Sequence, residues 1–84
     1  MNPLTLTPDA LPNMISRLTP RQLEIIELLA QGYNAVQVGE TMGISFETVK
    51  HQIYLACRKL ELGNRIQLIV LYVRWQSHTE YQTL

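Results

Sequence analysis

Cysteine is almost absent from this 84-residue sequence: Cys57 stands alone, which excludes an internal disulfide and any cysteine-based metal cage. Histidine offers no substitute, since His51 has only His78 for company and no carboxylate cluster joins them. Net charge is also missing. Seven basic residues balance seven acidic ones, which argues against a protein that clings to nucleic acid by bulk electrostatics alone. There is no run of about eighteen apolar residues to span a membrane and no basic-then-apolar leader, so a cytoplasmic chain with no membrane partner is expected. A phosphate-binding glycine loop, a nucleophile spaced from a base and paired carboxylates in a polar setting are all wanting, so neither an enzyme nor a cofactor is expected. At this length one domain with a single modest core is expected, with no room for a sensor or receiver domain within these residues.

The charges present are unevenly distributed. Residues 1–49 hold Arg17 and Arg21 against Asp9, Glu24, Glu27, Glu40 and Glu47, whereas residues 50–84 hold Lys50, Arg58, Lys59, Arg65 and Arg74 against Glu61 and Glu80. Two cations against five anions leave the first part at −3, and five against two leave the second at +3. A basic face on a neutral molecule is therefore possible.

Residues 1–17 contain three of the four prolines and no sustained periodicity. They read as an N-terminal arm with, at most, a short helix opened by Thr7 and Pro8. The first secure helix begins at Thr19, where a threonine N-cap, Pro20 at N1 and Gln22 at N3 make a capping box. Its apolar face comprises Leu23, Ile26 and Leu29 with Ile25 and Leu28 beside them, and Gly32 closes it in the residue type that tolerates left-handed geometry. A second helix opens at Asn34 with Gln37 at N3, turning Val38 and Met42 to the core. Gly39 lies between them and costs roughly 1 kcal/mol relative to alanine, so a close approach between tightly crossing helices is expected there.

The chain is organised around Ser45 to Leu60. Val49, Ile53, Ala56 and Leu60 recur at i, i+4, i+7, i+11, one helical face, while Glu47, Lys50, His51, Tyr54 and Arg58 fall on the other. Only Gly43 and Ile44 separate this third helix, expected over 45–61, from the second. Two helices joined at so sharp a corner are the signature of a helix-turn-helix, whose second helix is the one presented to DNA. Cys57, beside the core stripe, reads as a small buried thiol, with an intermolecular disulfide as the alternative.

Leu62 and Gly63 break that helix, and Asn64 with Gln67 at N3 caps a fourth, expected to run to about residue 78 and leave 79–84 as a C-terminal tail. Ile66, Leu68, Ile69, Val70, Leu71, Tyr72, Val73 and Trp75 leave it almost no polar face. If Leu68, Ile69 and Tyr72 face inward, Ile66, Val70 and Val73 make a second apolar stripe, which implies an external partner. The alternative is that the arm folds over the stripe with Leu4, Leu6, Leu11 and Met14. Arg65 reads as structural, placed to pair with Glu24 or Glu27 of the first helix.

From Leu18 to about Tyr72 the chain resembles the LuxR-type helix-turn-helix domain without a gap. The matching elements are LTPRQLEIIELLAQG (18–32), the S-x-x-TVK of Ser45, Thr48, Val49 and Lys50, the RKL of Arg58, Lys59 and Leu60, and the Asn64-Arg65 pair. The resemblance implies an all-α, four-helix domain over 18–78 that binds double-stranded DNA as a homodimer, with the third helix in the major groove and the last forming the dimer contact through Ile66, Val70 and Val73. It also implies that Lys50, His51 and Tyr54 face bases, while Thr48, Arg58 and Lys59 lie nearer the phosphates. Lysine and histidine can donate to guanine or other purine acceptors, and tyrosine offers a hydroxyl and a ring for a thymine methyl.

Three positions depart from the family pattern. Members commonly carry a lysine at the position of Val36, a basic residue at that of Glu47 and a histidine at that of Gln52. Two lost phosphate contacts lower the expected salt slope by about 2 per subunit, and the Glu47 carboxylate is repelled unless it meets a cytosine amino group. Two functions follow: a bacterial, plasmid or phage transcription regulator binding a two-fold DNA site, or a protein-binding antiactivator or co-regulator that pairs with a larger LuxR-type regulator through the last helix.

Overall fold

The computed structural model describes residues 6–83, with side chains through Ser77; the expectations that named Leu4 and the His78 side chain lie outside the described residues. The architecture is all-α: α1 (Ala10–Ser16), α2 (Pro20–Ala30), α3 (Ala35–Met42), α4 (Phe46–Lys59) and α5 (Arg65–Thr83). Thus α2 to α5 are the four helices anticipated from the sequence, and α1 is added in front of them.

Local chemistry sets the helix starts. Thr19 and Asn34 each accept from the backbone N–H three residues on, while Gln22 and Gln37 reach back to the cap N–H, completing both capping boxes. Ser45 accepts from Thr48 N–H at 3.1 Å. Asn64 accepts from Gln67 N–H at 3.0 Å, although Gln67 returns its bond to Gly63 N–H rather than to Asn64. Each cap occupies one of the amides that a helix start leaves without a partner.

The ends are as local. α2 closes with Tyr33 N–H on Leu28 C=O and Gly32 N–H on Leu29 C=O, a Schellman pair with Gly32 at φ +100°. α4 closes the same way, Leu62 N–H on Cys57 C=O and Glu61 N–H on Arg58 C=O, but the left-handed position is taken by Glu61 at φ +56°. A side chain there costs about 1–2 kcal/mol that glycine would not.

The core runs through all five helices. Leu11, Met14 and Ile15 of α1, Ile25, Ile26 and Leu29 of α2, Val38 of α3, Val49, Ile53 and Ala56 of α4, and Leu68, Leu71 and Tyr72 of α5 are buried, with Leu18, Leu60 and Leu62 sealing the links. The short helix that the sequence allowed within the arm is present at Ala10–Ser16. A seven-residue helix is too short to stand alone in water, so α1 exists because its three apolar side chains are buried, each worth about 1.5–3 kcal/mol, and it packs on α5. α5 likewise runs past residue 78 to Thr83, so 79–83 are helix, not tail. Of its apolar residues Leu68, Leu71 and Tyr72 are buried and Ile69 is half-buried. Ile66 at 66% and Val73 at 42% stay exposed even with α1 in place, and Val70 is half-buried. α1 therefore packs on α5 without covering the second stripe.

Candidate nucleic-acid interface

The corner between α3 and α4 fixes how α4 is presented. Gly43 adopts φ +70°, and Ile44 N–H donates back to Gly39 C=O at 3.0 Å, folding the turn against the end of α3. A Cβ on Gly39 would lie 2.7 Å from Ile44 C=O and 3.6 Å from Phe46 N. The close approach expected at Gly39 is real, but what comes close is the backbone of the turn itself.

With Val49, Ile53 and Ala56 locked into the core, the spacing of α4 turns Glu47, Thr48, Lys50, His51, Tyr54 and Arg58 outward, all exposed. Several are held in place. Lys50 Nζ lies 5.0 Å from the centroid of Phe46, a half-exposed ring at the first turn that sequence reasoning did not single out; the i, i+4 spacing of a lysine and an aromatic was the available signal. His51 and Tyr54 have ring centroids 6.4 Å apart at 26°. Arg58 Nη1 donates to the Tyr54 hydroxyl at 3.0 Å, with its guanidinium carbon 5.8 Å from the ring centroid. That hydrogen bond, with the charge interaction beside it, pushes the Arg58 guanidinium above its ordinary value. The Thr48 hydroxyl shares a 2.8 Å hydrogen bond with that of Ser45.

Lys59 is not brought together with these residues. It is half-buried, and its Nζ donates to Gln22 Oε1 at 3.3 Å, while its own carbonyl accepts from Arg17 Nη2 at 2.7 Å. Gln22 is 4% exposed and also donates to Gln52 Oε1 at 3.3 Å. One buried amide thus ties α2 to two points on α4, Gln52 and Lys59. Gln22 was legible only as a capping residue.

Arg65 is likewise placed elsewhere than expected. It is exposed and lines an open hollow of about 300 Å³ with Lys50, Ile53, Tyr54, Cys57, Gly63 and Asn64, on the side of α4 facing the start of α5. No ion pair joins it to Glu24 or Glu27 among the described residues. Cys57 at the floor is buried, and burial pushes its thiol up. Val36 is 49% exposed at the start of α3. Among the described residues no group of three metal-ligating side chains converges, and no helix is long and apolar enough to cross a membrane.

The chain is 37% identical over 59 residues to the transcriptional activator protein BjaR1 of Bradyrhizobium diazoefficiens, covering 70% of this chain and 24% of that protein. It is 38% identical over 52 residues to the transcriptional regulatory protein DesR of Bacillus subtilis, 62% of this chain and 26% of that one. Against the nitrate/nitrite response regulator protein NarP of Escherichia coli it is 36% identical over 59 residues, 70% and 27% of the two chains. The chain thus spans about a quarter of the length of these curated relatives, whose names are those of regulators and not of enzymes. No solved structure matches it. The model of the bacterial regulatory proteins of the luxR family matches residues 16–72, more than half the chain and the whole of the helix-turn-helix, and the chain belongs to that family.

Proposed function

We propose that this chain is a sequence-specific, DNA-binding transcription regulator that acts as a homodimer, with α4 in the major groove and Ile66, Val70 and Val73 of α5 forming the contact between copies. The observation that carries the reading is the division of α4: one face is core, and the opposite face offers Lys50, His51 and Tyr54 together, all exposed. Glu47, Thr48 and Arg58 flank them, and Arg65 adds a cation at the start of α5. The exposed Ile66 and Val73 support self-association, since an apolar stripe of that kind is normally covered. A two-fold dimer would set two copies of α4 about 34 Å apart, one turn of DNA.

A second reading has its own support. Zero net charge, the exposed apolar Val36 and the carboxylate of Glu47 suit a co-regulator that pairs with a larger LuxR-type protein through α5 and has given up DNA. Fluorescence anisotropy at low salt separates the two. On the first reading a duplex selected from a random library binds at least tenfold tighter than a scrambled one. Lys50→Ala then lowers affinity for the selected duplex by about 5-fold or more, and Ile66→Glu abolishes dimerisation in sedimentation without unfolding the chain. Equal binding of selected and scrambled duplex removes the first reading.

A further inference from the structure

Tyr54 stands 53% exposed in the middle of the outward face of α4, yet its side chain is gripped from both ends. On the N-terminal side the His51 ring lies stacked against it. On the C-terminal side Arg58 covers the ring at 5.8 Å and donates to the hydroxyl at 3.0 Å. The arrangement follows from spacing alone, because residues three and four apart on a helix are surface neighbours.

The chemistry of that bond is directional. A free tyrosine hydroxyl both donates and accepts, so by itself it discriminates poorly between base edges. A guanidinium only donates. Its hydrogen bond occupies a lone pair on Oη and draws electron density from the oxygen, which makes the remaining hydroxyl hydrogen the stronger partner to offer outward.

Resting on the reading that α4 enters the major groove, we infer that Arg58 fixes Tyr54 as a hydrogen-bond donor, so that Tyr54 selects an acceptor on the base edge it faces and rejects cytosine. The acceptors available there are N7 of either purine, O6 of guanine and O4 of thymine, whereas cytosine presents an amino donor. Arg58 is then a positioning residue for base recognition, in place of the phosphate contact expected from the family pattern. The grip also removes rotamer freedom before binding, so less is lost when the groove closes on the side chain.

The test uses the full chain, a duplex selected from a random library, and every single-base substitution across one half-site. Affinities are measured for the wild type, Tyr54→Phe, Arg58→Ala and the double variant. Both residues are exposed, and circular dichroism checks that each variant keeps the wild-type helix content. One position is expected where cytosine lowers wild-type affinity about 3- to 10-fold, the worth of one hydrogen bond. Each single variant erases the cytosine penalty at that position and spares the other positions, and the double variant does no more than either. The salt slope of Arg58→Ala stays that of the wild type. If Arg58→Ala instead weakens all duplexes alike, reduces the slope by about 0.9 and leaves the cytosine penalty in place, Arg58 is a phosphate contact and the inference is overturned. A wild type with no preference among duplexes overturns the DNA reading itself, a separate result read before any variant is made.

Discussion

Replacing Gly39 by alanine sets two elementary effects against each other. Helix propensity alone favours the change, because alanine in a helix interior is better than glycine by about 1 kcal/mol. Packing opposes it. The new Cβ would sit 2.7 Å from the carbonyl oxygen of Ile44, with Phe46 N and Ser45 C both 3.6 Å away. None of these is the end of a side chain that could swing aside; all three are backbone, two in the turn that joins α3 to α4 and one at the first residue of α4. Relief requires that turn to move by several tenths of an ångström, straining the Ile44 N–H to Gly39 C=O bond that closes it. Forcing extra carbon into a packed site costs roughly 1–3 kcal/mol, and a contact to immovable backbone belongs in the upper half of that range. Subtracting the propensity gain leaves a loss of about 1–2 kcal/mol. For a domain of this size each kcal/mol moves the melting temperature by about 4–8 °C, so Gly39→Ala should melt about 4–16 °C below the wild type in circular dichroism at 222 nm. Any rise in melting temperature would mean that the turn yields freely, and the claim that it sets the angle of α4 would be wrong.

Two further perturbations are expected to have definite signs. Glu61→Gly relieves a left-handed side chain at the end of α4, and after the added flexibility of the unfolded chain is subtracted it should raise the urea midpoint by the equivalent of about 0.5–1 kcal/mol; a lower midpoint would show that the Glu61 side chain matters more than its backbone. Burial pushes the Cys57 thiol up, so the folded protein holds the proton more tightly than the unfolded chain does. The stability this contributes is fully present below the unfolded thiol's pKa of about 8.5 and is lost as pH rises through the higher folded value. Cys57 should therefore react with a disulfide reagent at pH 8 far more slowly than after unfolding in urea, and equal rates would refute its burial.

Much of the fold could be read from local chemistry. Thr19, Asn34, Ser45 and Asn64 announce helix starts because short polar side chains satisfy amides three residues away, and the i, i+4, i+7 stripe of Val49, Ile53 and Ala56 assigns the inner face of α4 whatever surrounds it. What escaped depends on distant partners. Leu11, Met14 and Ile15 form no long periodic pattern, and only the presence of α5 makes a seven-residue helix worth forming. Gln22 reads as a cap, since nothing in its neighbourhood along the chain reveals Gln52 and Lys59 above it. Arg65 was matched to acidic residues by charge, whereas its place at the first turn of α5 turns it toward Lys50 and Tyr54. The link between Tyr54 and Arg58 is legible from their spacing of four on one helix face. Ser77, His78 and Thr79 read along the chain as a fraying terminus, whereas α5 continues through them to Thr83.

The five helices are joined by links of only three to five residues, and each of the three corners from α2 onward is closed by a hydrogen bond to the helix it leaves. The corners form between neighbours, α2 with α3, α3 with α4 and α4 with α5, whereas α1 and α2 complete their packing only once α5, the last helix, is present. Small helical domains fold in about microseconds to milliseconds, while a ribosome adds roughly 5–20 residues each second. Because α5 closes the packing of α1 and α2, the native state waits on synthesis of the last helix, and translation rather than folding sets the interval between message and molecule.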